Sequence, residues 1–241
     1  NCIISHIKSN GNTVPFHSKL SSSLRQTIHE TSTRNYWIRK KQLDDTHRYV
    51  DWTLRQKSLG RLPTHERRWL CKFRTGMCGV GKMLKLYKFQ NHDKCPLCNT
   101  NNETTSHVLT CNSQTSNETW EEEIKEAKLY LSSLLLRQDM IECMFEGIKA
   151  WKEGRQALSM TEDILLQRAI NKQGLIGWKN FIEGFWASEW KQSYENHLQS
   201  IRSRRSSSLG LAKAQRRIWQ IAWKLWINRN HCLHQSKHSL H

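Results

Sequence analysis

The chain has 241 residues, 37% of them hydrophobic, and a formal charge of +17. That is enough for one large domain or two small ones with buried cores, while no apolar run reaches the ~18–20 residues of a membrane-spanning helix. Only Pro15, Pro63 and Pro96 break the chain as prolines, which disfavours a many-turned β-sandwich and points to a mostly α fold.

Eight cysteines are present, and three of them fall within seventeen residues beside a histidine. No apolar signal segment opens the sequence, so metal ligation in a reducing compartment, nucleus or cytoplasm, is expected rather than disulfides. The sequence opens on Asn1 and its first methionine is Met77, from which we expect a product that continues upstream.

In chain order, residues 1–35 are rich in Ser, Thr and Asn and read as an irregular lead-in with one short helix near Leu20–His29. Residues 36–111 form a basic helical region: Glu66–Phe73 reads as a helix ended by Gly76, and Lys82–Phe89 as another. Residues 112–198 read as a helical domain, with Ile124, Leu131, Leu134, Leu135 and Met140 as core candidates. A Ser/Arg-rich linker is expected at 199–210, followed at 211–241 by a Trp-rich helix and a His-rich tail. Charge is uneven along this order: +6 over 1–60, +6 over 61–111, −4 over 112–198 and +9 over 199–241. Two basic regions flanking an acidic middle suggest a polyanionic partner.

The stretch TGMCGVGKM at 75–83 fits the opening of a Walker A loop through Gly76, Gly81 and Lys82. Met83 stands where a hydroxyl would help hold Mg²⁺, and the preceding RRWLCKFRT is basic and helical rather than an apolar strand. We therefore expect a helix-to-helix turn and no nucleoside triphosphate.

CPLCNTNNETTSHVLTC, residues 95–111, carries the strongest chemical signal. Cys95 and Cys98 bracket two residues, so both thiolates can face one ion from a tight turn. Thr104 can cap a short helix that places His107 and Cys111 on one face. Three thiolates and one imidazole fill a tetrahedral Zn²⁺ and leave no position for water, which makes the expected site structural. His92 is a competing donor. Cys71 and Cys78 read as packed thiols, and Cys2, Cys143 and Cys232 as isolated ones. His231, His234, His238 and His241 in the tail read as a frayed, solvated end.

The run from Glu66 to Cys111, with Trp69, Gly79, Gly81, Lys82, Cys95, Pro96, Cys98, Glu103, His107 and Cys111, resembles the zinc-binding region downstream of the reverse transcriptase in eukaryotic retroelement polyproteins. The ending from Trp219 through His234 is similar to the carboxyl end of such products. The resemblance implies a non-catalytic, zinc-binding and nucleic-acid-binding region, with the polymerase encoded upstream as its partner. Some relatives of this kind carry an endonuclease after the zinc site. Glu123 with Lys125 and Glu189 with Lys191 fit its E-x-K element but sit in helical patterns, so we read them as helix-surface residues.

Phosphate-contact candidates are Lys72, Arg74, Lys82, Lys85 and Lys88 near the zinc site, and Arg202, Arg204, Arg205, Arg216 and Arg217 near the tail. The partner expected from these is the backbone of RNA or DNA. Trp219, Trp223 and Trp226 read as core. The competing class is a zinc-stabilised protein-interaction module with no nucleic-acid role.

Overall fold

The computed structural model describes residues 5–7, 13–15, 20–157 and 161–238, with side chains from 31 to 157 and from 161 to 234. The fold is mostly α, and it divides into a unit ending at His47 and a second unit from Arg48 to His241. The described helices include none long and apolar enough to cross a membrane.

The first unit departs from the expected irregular lead-in. It holds an antiparallel ribbon, β1 (Ser5–Ile7) and β2 (Thr13–Pro15), and one long helix, α1 (Leu20–Lys41). α1 runs twelve residues past His29 and ends on Arg39, Lys40 and Lys41, where cations suit the negative end of the helix dipole.

The second unit is a helical assembly with α2 (Trp52–Leu59), α3 (Thr64–Thr75), α4 (Gly81–Leu86), α5 (Thr105–Thr110), α6 (Gln114–Ser133) and α7 (Gln138–Lys152). It continues through α8 (Ile164–Ile176), α9 (Trp178–Ile182), α10 (Glu189–Ser200) and α11 (Ser207–His238). α11 is the organising element, packing against α6, α2, α10, α5 and α9. The Ser/Arg stretch is thus only partly a linker: a turn at 201–206, with Arg202 at φ 53°, leads into the first turn of α11. Serine hydroxyls favour helix starts, because they accept from the free N–H groups there.

Local chemistry sets the element ends. Gly76 closes α3 at φ 77°, a left-handed position that glycine takes without a Cβ penalty. The helical composition of Trp120–Glu146 resolves into two helices. Leu135, at φ 66°, turns the chain between α6 and α7, so it lies half-buried instead of in the core.

The core between α7 and α11 is aromatic. Phe181 stacks on Trp186 at 4.3 Å and tilts against Trp190 at 6.0 Å, and Trp190 and Tyr194 are fully buried. Buried Gln173 satisfies this core by accepting from Ala187 N at 2.9 Å and Trp190 Nε1 at 3.2 Å, and by donating to Phe185 O at 3.2 Å. Such full pairing is what makes a buried amide tolerable. Trp219 is core as expected, whereas Trp223 and Trp226 are half-buried.

Candidate metal centre

The site begins with a knuckle. Cys95 N–H donates to Thr100 O at 2.9 Å and Asn99 N–H to Cys95 O at 2.9 Å, closing a tight turn in which Asn99 is left-handed at φ 59°. Asn is among the few non-glycine residues that enter that region readily. Cys95 and Cys98 project from this turn. Thr104 caps α5 as expected, its hydroxyl accepting from His107 N–H at 3.2 Å. α5 ends at Thr110, so Cys111 is its C-terminal cap at ψ 129°, rather than a helical residue one turn beyond His107.

The ligand atoms of Cys95, Cys98, His107 and Cys111 nevertheless lie within 4.8 Å of one another, a cluster able to hold a metal ion. Cys95 Sγ is 3.9 Å from Cys111 Sγ, and Cys98 Sγ is 3.2 Å from His107 Nε2. A tetrahedral ion with metal–sulfur bonds of ~2.3 Å has sulfur–sulfur edges of about 3.8 Å, so the residues fit such an ion. Cys95 and Cys111 are buried, Cys98 and His107 half-buried.

The electrostatics agree with a cation-seeking set. The hydrogen bond with Cys95 holds the Cys111 thiol down, to about 3, while the same contact, with burial, pushes Cys95 up. One proton is shared between two sulfurs, because two adjacent thiolates repel. His107 is raised to about 9 by Cys111 and by Cys98. A dication among these groups favours all three thiolates and the neutral imidazole, releasing protons as it binds.

The cluster is anchored to α11 by Glu103, whose side chain is fully buried. Its carboxylate accepts from Arg229 Nε at 2.8 Å and Arg229 Nη2 at 2.6 Å, and also from Gly81 N–H. Arg229 is itself 1% exposed and lies over the Trp226 ring at 5.4 Å. Cys232 Sγ reaches Pro96 O at 3.3 Å, a second tie between α11 and the knuckle. A Cβ on Gly81 would meet Asp93 O at 2.5 Å, so only glycine fits where α4 crosses the segment before the knuckle. In the sequence, Glu103 stands out only as part of a motif and Arg229 carries no local signal of this role. A usable signal exists: Arg229 continues the buried row of Ala222 and Leu225 along α11.

The glycine loop is not a phosphate cradle of the Walker A type, which follows a strand. α3 precedes it, Gly81 N–H donates to the Glu103 carboxylate, and Lys82 N–H donates to Glu103 O at 3.1 Å.

The basic candidates divide. Lys72, Lys82, Lys85, Lys88, Arg202, Arg204 and Arg205 are exposed. Lys85 bridges Asp93 at 3.2 Å, and Arg205 donates to Ser133 O at 2.8 Å. Arg74 and Arg217 are corrections. Arg74 is 2% exposed with its guanidinium 4.6 Å from the Trp219 ring, and Arg217 pairs with Glu123 at 2.8 Å in the interior. Each lies on the apolar face of its helix, Arg74 one turn beyond Leu70 and Arg217 one turn before Ile221. Arg216 is half-buried.

Other expectations shift too. Glu123 is buried rather than on the helix surface, and it sits opposite an arginine rather than near a strand. Cys71 is exposed, not packed, whereas Cys78 is buried and its thiol is pushed up to about 12 by that burial. His92 is exposed and is not one of the four clustered donors. His231 and His234 are exposed, while the side chains of His238 and His241 lie outside the described residues. No protein-family model matches the chain, and no curated protein or solved structure is significantly similar to it.

Proposed function

We propose that the chain is a non-catalytic, zinc-binding region that grips nucleic acid for a retroelement reverse transcriptase encoded upstream in the same polyprotein. The observation that carries this reading is the four-donor cluster with exposed lysines beside it: Lys72 at the end of α3, and Lys82, Lys85 and Lys88 on and after α4. Three thiolates and an imidazole are the donor set of structural Zn²⁺, and all four tetrahedral positions are filled by protein. Zinc there would fix the knuckle and α5 without supplying an open coordination site for chemistry. The exposed arginines of the turn before α11 add a second basic region with the same preference for phosphate.

The competing reading, a zinc-stabilised protein-docking module, draws on an open groove between α6 and α7 of about 1040 Å³, lined by Trp120, Ile124, Phe145 and Lys149 among others. Salt dependence separates the two. Binding that neutralises Z phosphates of a duplex weakens with salt at a slope near −0.9Z, and two basic regions suggest Z of roughly four to eight. The expected result of a fluorescence-anisotropy salt series is a steep slope, flattened by Lys82→Ala/Lys85→Ala/Lys88→Ala and again by Arg202→Ala/Arg204→Ala/Arg205→Ala. No binding at ~50 mM salt, or a slope unchanged in both variants, would favour the docking module. Elemental analysis of chelator-free protein is expected to give one zinc per chain, lost in Cys98→Ser and His107→Ala.

A further inference from the structure

The end of α4 places a lysine in a left-handed turn and sets an exposed aromatic ring on either side of it. The helix closes in a Schellman turn: Phe89 N–H donates to Leu84 O at 2.9 Å and Lys88 N–H to Lys85 O at 3.0 Å. Glycine normally fills the left-handed position of that turn, and an L-residue there is strained. Here it is Lys88, at φ 60°. The residue after it usually folds its apolar side chain back on the helix. Here it is Phe89, which is 77% exposed, next to Tyr87 at 53% and Leu86 at 66%. The chain thus strains a lysine and leaves two aromatic rings in water on either side of it. Left-handed turns occur elsewhere in the chain, at Leu135 and Arg202, but contiguous exposed apolar surface of this kind marks a recognition site.

The surrounding charge selects the occupant. Residues 81–94 contain Lys82, Lys85, Lys88 and Lys94 against one acid, Asp93, which is already bridged by Lys85. Aromatic rings interleaved with lysines match a strand that offers phosphates and unstacked bases together. In a duplex the base faces are covered by their neighbours, so the rings would find no partner there.

Building on the nucleic-acid reading above, we propose that Tyr87 and Phe89 form a stacking platform for the bases of single-stranded nucleic acid, with Lys82 and Lys88 on the flanking phosphates. The surface lies outside the knuckle, at the far end of α4, the helix whose first turn is held by Gly81 N–H and Lys82 N–H donating to Glu103. The rings supply preference for single strands. The lysines supply affinity for any nucleic acid.

Anisotropy titrations of the full chain would use four oligonucleotides of one length: single-stranded RNA, single-stranded DNA, duplex, and an abasic single strand. Tyr87→Ala/Phe89→Ala is expected to weaken binding to both base-bearing single strands about tenfold or more, with duplex and abasic binding changed less than about twofold. Tyr87→Phe/Phe89→Trp is expected to restore it. The lysine triple variant is expected to weaken all four. One bound metal per chain and an unchanged far-UV spectrum would show that the variants fold. On the wild-type chain, photo-crosslinking to thiouridine RNA is expected to map to the peptide containing Tyr87 and Phe89. Equal losses on abasic and base-bearing strands, no loss on any, or crosslinks confined to other segments would overturn the platform and leave the nucleic-acid reading standing. A wild-type chain that binds none of the four at low salt removes both. Aromatic-dependent binding to anionic lipid vesicles, with oligonucleotide binding unaffected, would assign the surface to a membrane instead.

Discussion

From Cys78 to Cys111 the chain has two six-residue helices, and its buried apolar residues are Cys78, Val80, Cys95, Val108, Leu109 and Cys111. From α7 to α10 it buries a dense aromatic set, with Phe181, Phe185, Trp186, Trp190 and Tyr194 among its members. Half of the first set is sulfur. The second needs no staple, because apolar area and a satisfied Gln173 hold it. A short, polar segment cannot offset its ordering entropy by burial alone, so its four-donor cluster and the buried Glu103–Arg229 pair are expected to supply the difference. The body is therefore expected to be stable without the module, whereas the module is expected to depend on a bound ion and on α11.

Removing the metal is the harshest test of that asymmetry and should have the largest effect. Structural zinc contributes ~10–16 kcal/mol in isolated finger peptides, far more than the stability of a small module. Dialysis against a strong chelator is expected to abolish hydrogen-exchange protection across Cys95–Cys111 while α8 and α10 stay protected. Loss of protection in all these helices together would show one cooperative unit and break the comparison.

The latch comes next. Arg229→Met leaves the Glu103 carboxylate buried without its bidentate partner, and breaking a buried pair from one side costs ~3–5 kcal/mol. Replacing both, as Glu103→Gln/Arg229→Met, is expected to recover part of that loss. Arg217→Met tests the equivalent pair between α6 and α11 and should cost less, because Arg217 also reaches Glu126, whose side chain is 62% exposed. Urea midpoints would rank the three variants. A cost for Arg217→Met equal to or above that for Arg229→Met would mean that the latch is no more critical than an ordinary helix–helix pair.

These pairs also mark where the sequence was legible. The donor set was readable because its spacing is local: two cysteines on one turn, a cap at Thr104, and a histidine in the next helical turn. The end of α3 was readable because Gly76 is a local signal. Arg74, Arg217 and Arg229 were not. An arginine's exposure depends on which face its helix turns inward, and its carboxylate partner can be 126 residues away, as Glu103 is from Arg229. The buried rows through Leu70, Phe73 and Arg74 on α3, and through Ala214, Arg217 and Ile218 on α11, are visible in the apolar spacing once each charge is allowed to lie within a stripe. Composition misled in the opposite direction at 199–210, where serines that suggest a linker also start a helix.

The smallest expected effect lies wholly in the body and uses acid, which the module should not survive. Asp163 caps α8, its Oδ1 accepting from Leu165 N–H at 2.8 Å and Leu166 N–H at 2.9 Å, and it also pairs with Arg137. The Leu166 amide, with help from Arg137, holds its carboxyl below the usual aspartate range. A depressed folded value contributes stability that is present above the unfolded value of ~3.9 and is lost as pH falls through the folded one. Asp163→Ala is therefore expected to cost ~1 kcal/mol at pH 7. The gap between variant and wild type should narrow steadily once the pH drops below ~3.9. Acid also protonates the four clustered donors and is expected to release an ion held there, equally in both proteins, so the difference between their urea midpoints isolates the cap. A gap that stays constant down to the lowest pH would mean that Asp163 acts through packing rather than charge. A gap that widens would mean that loss of the module's metal is felt at α8, and the two regions would not be separable.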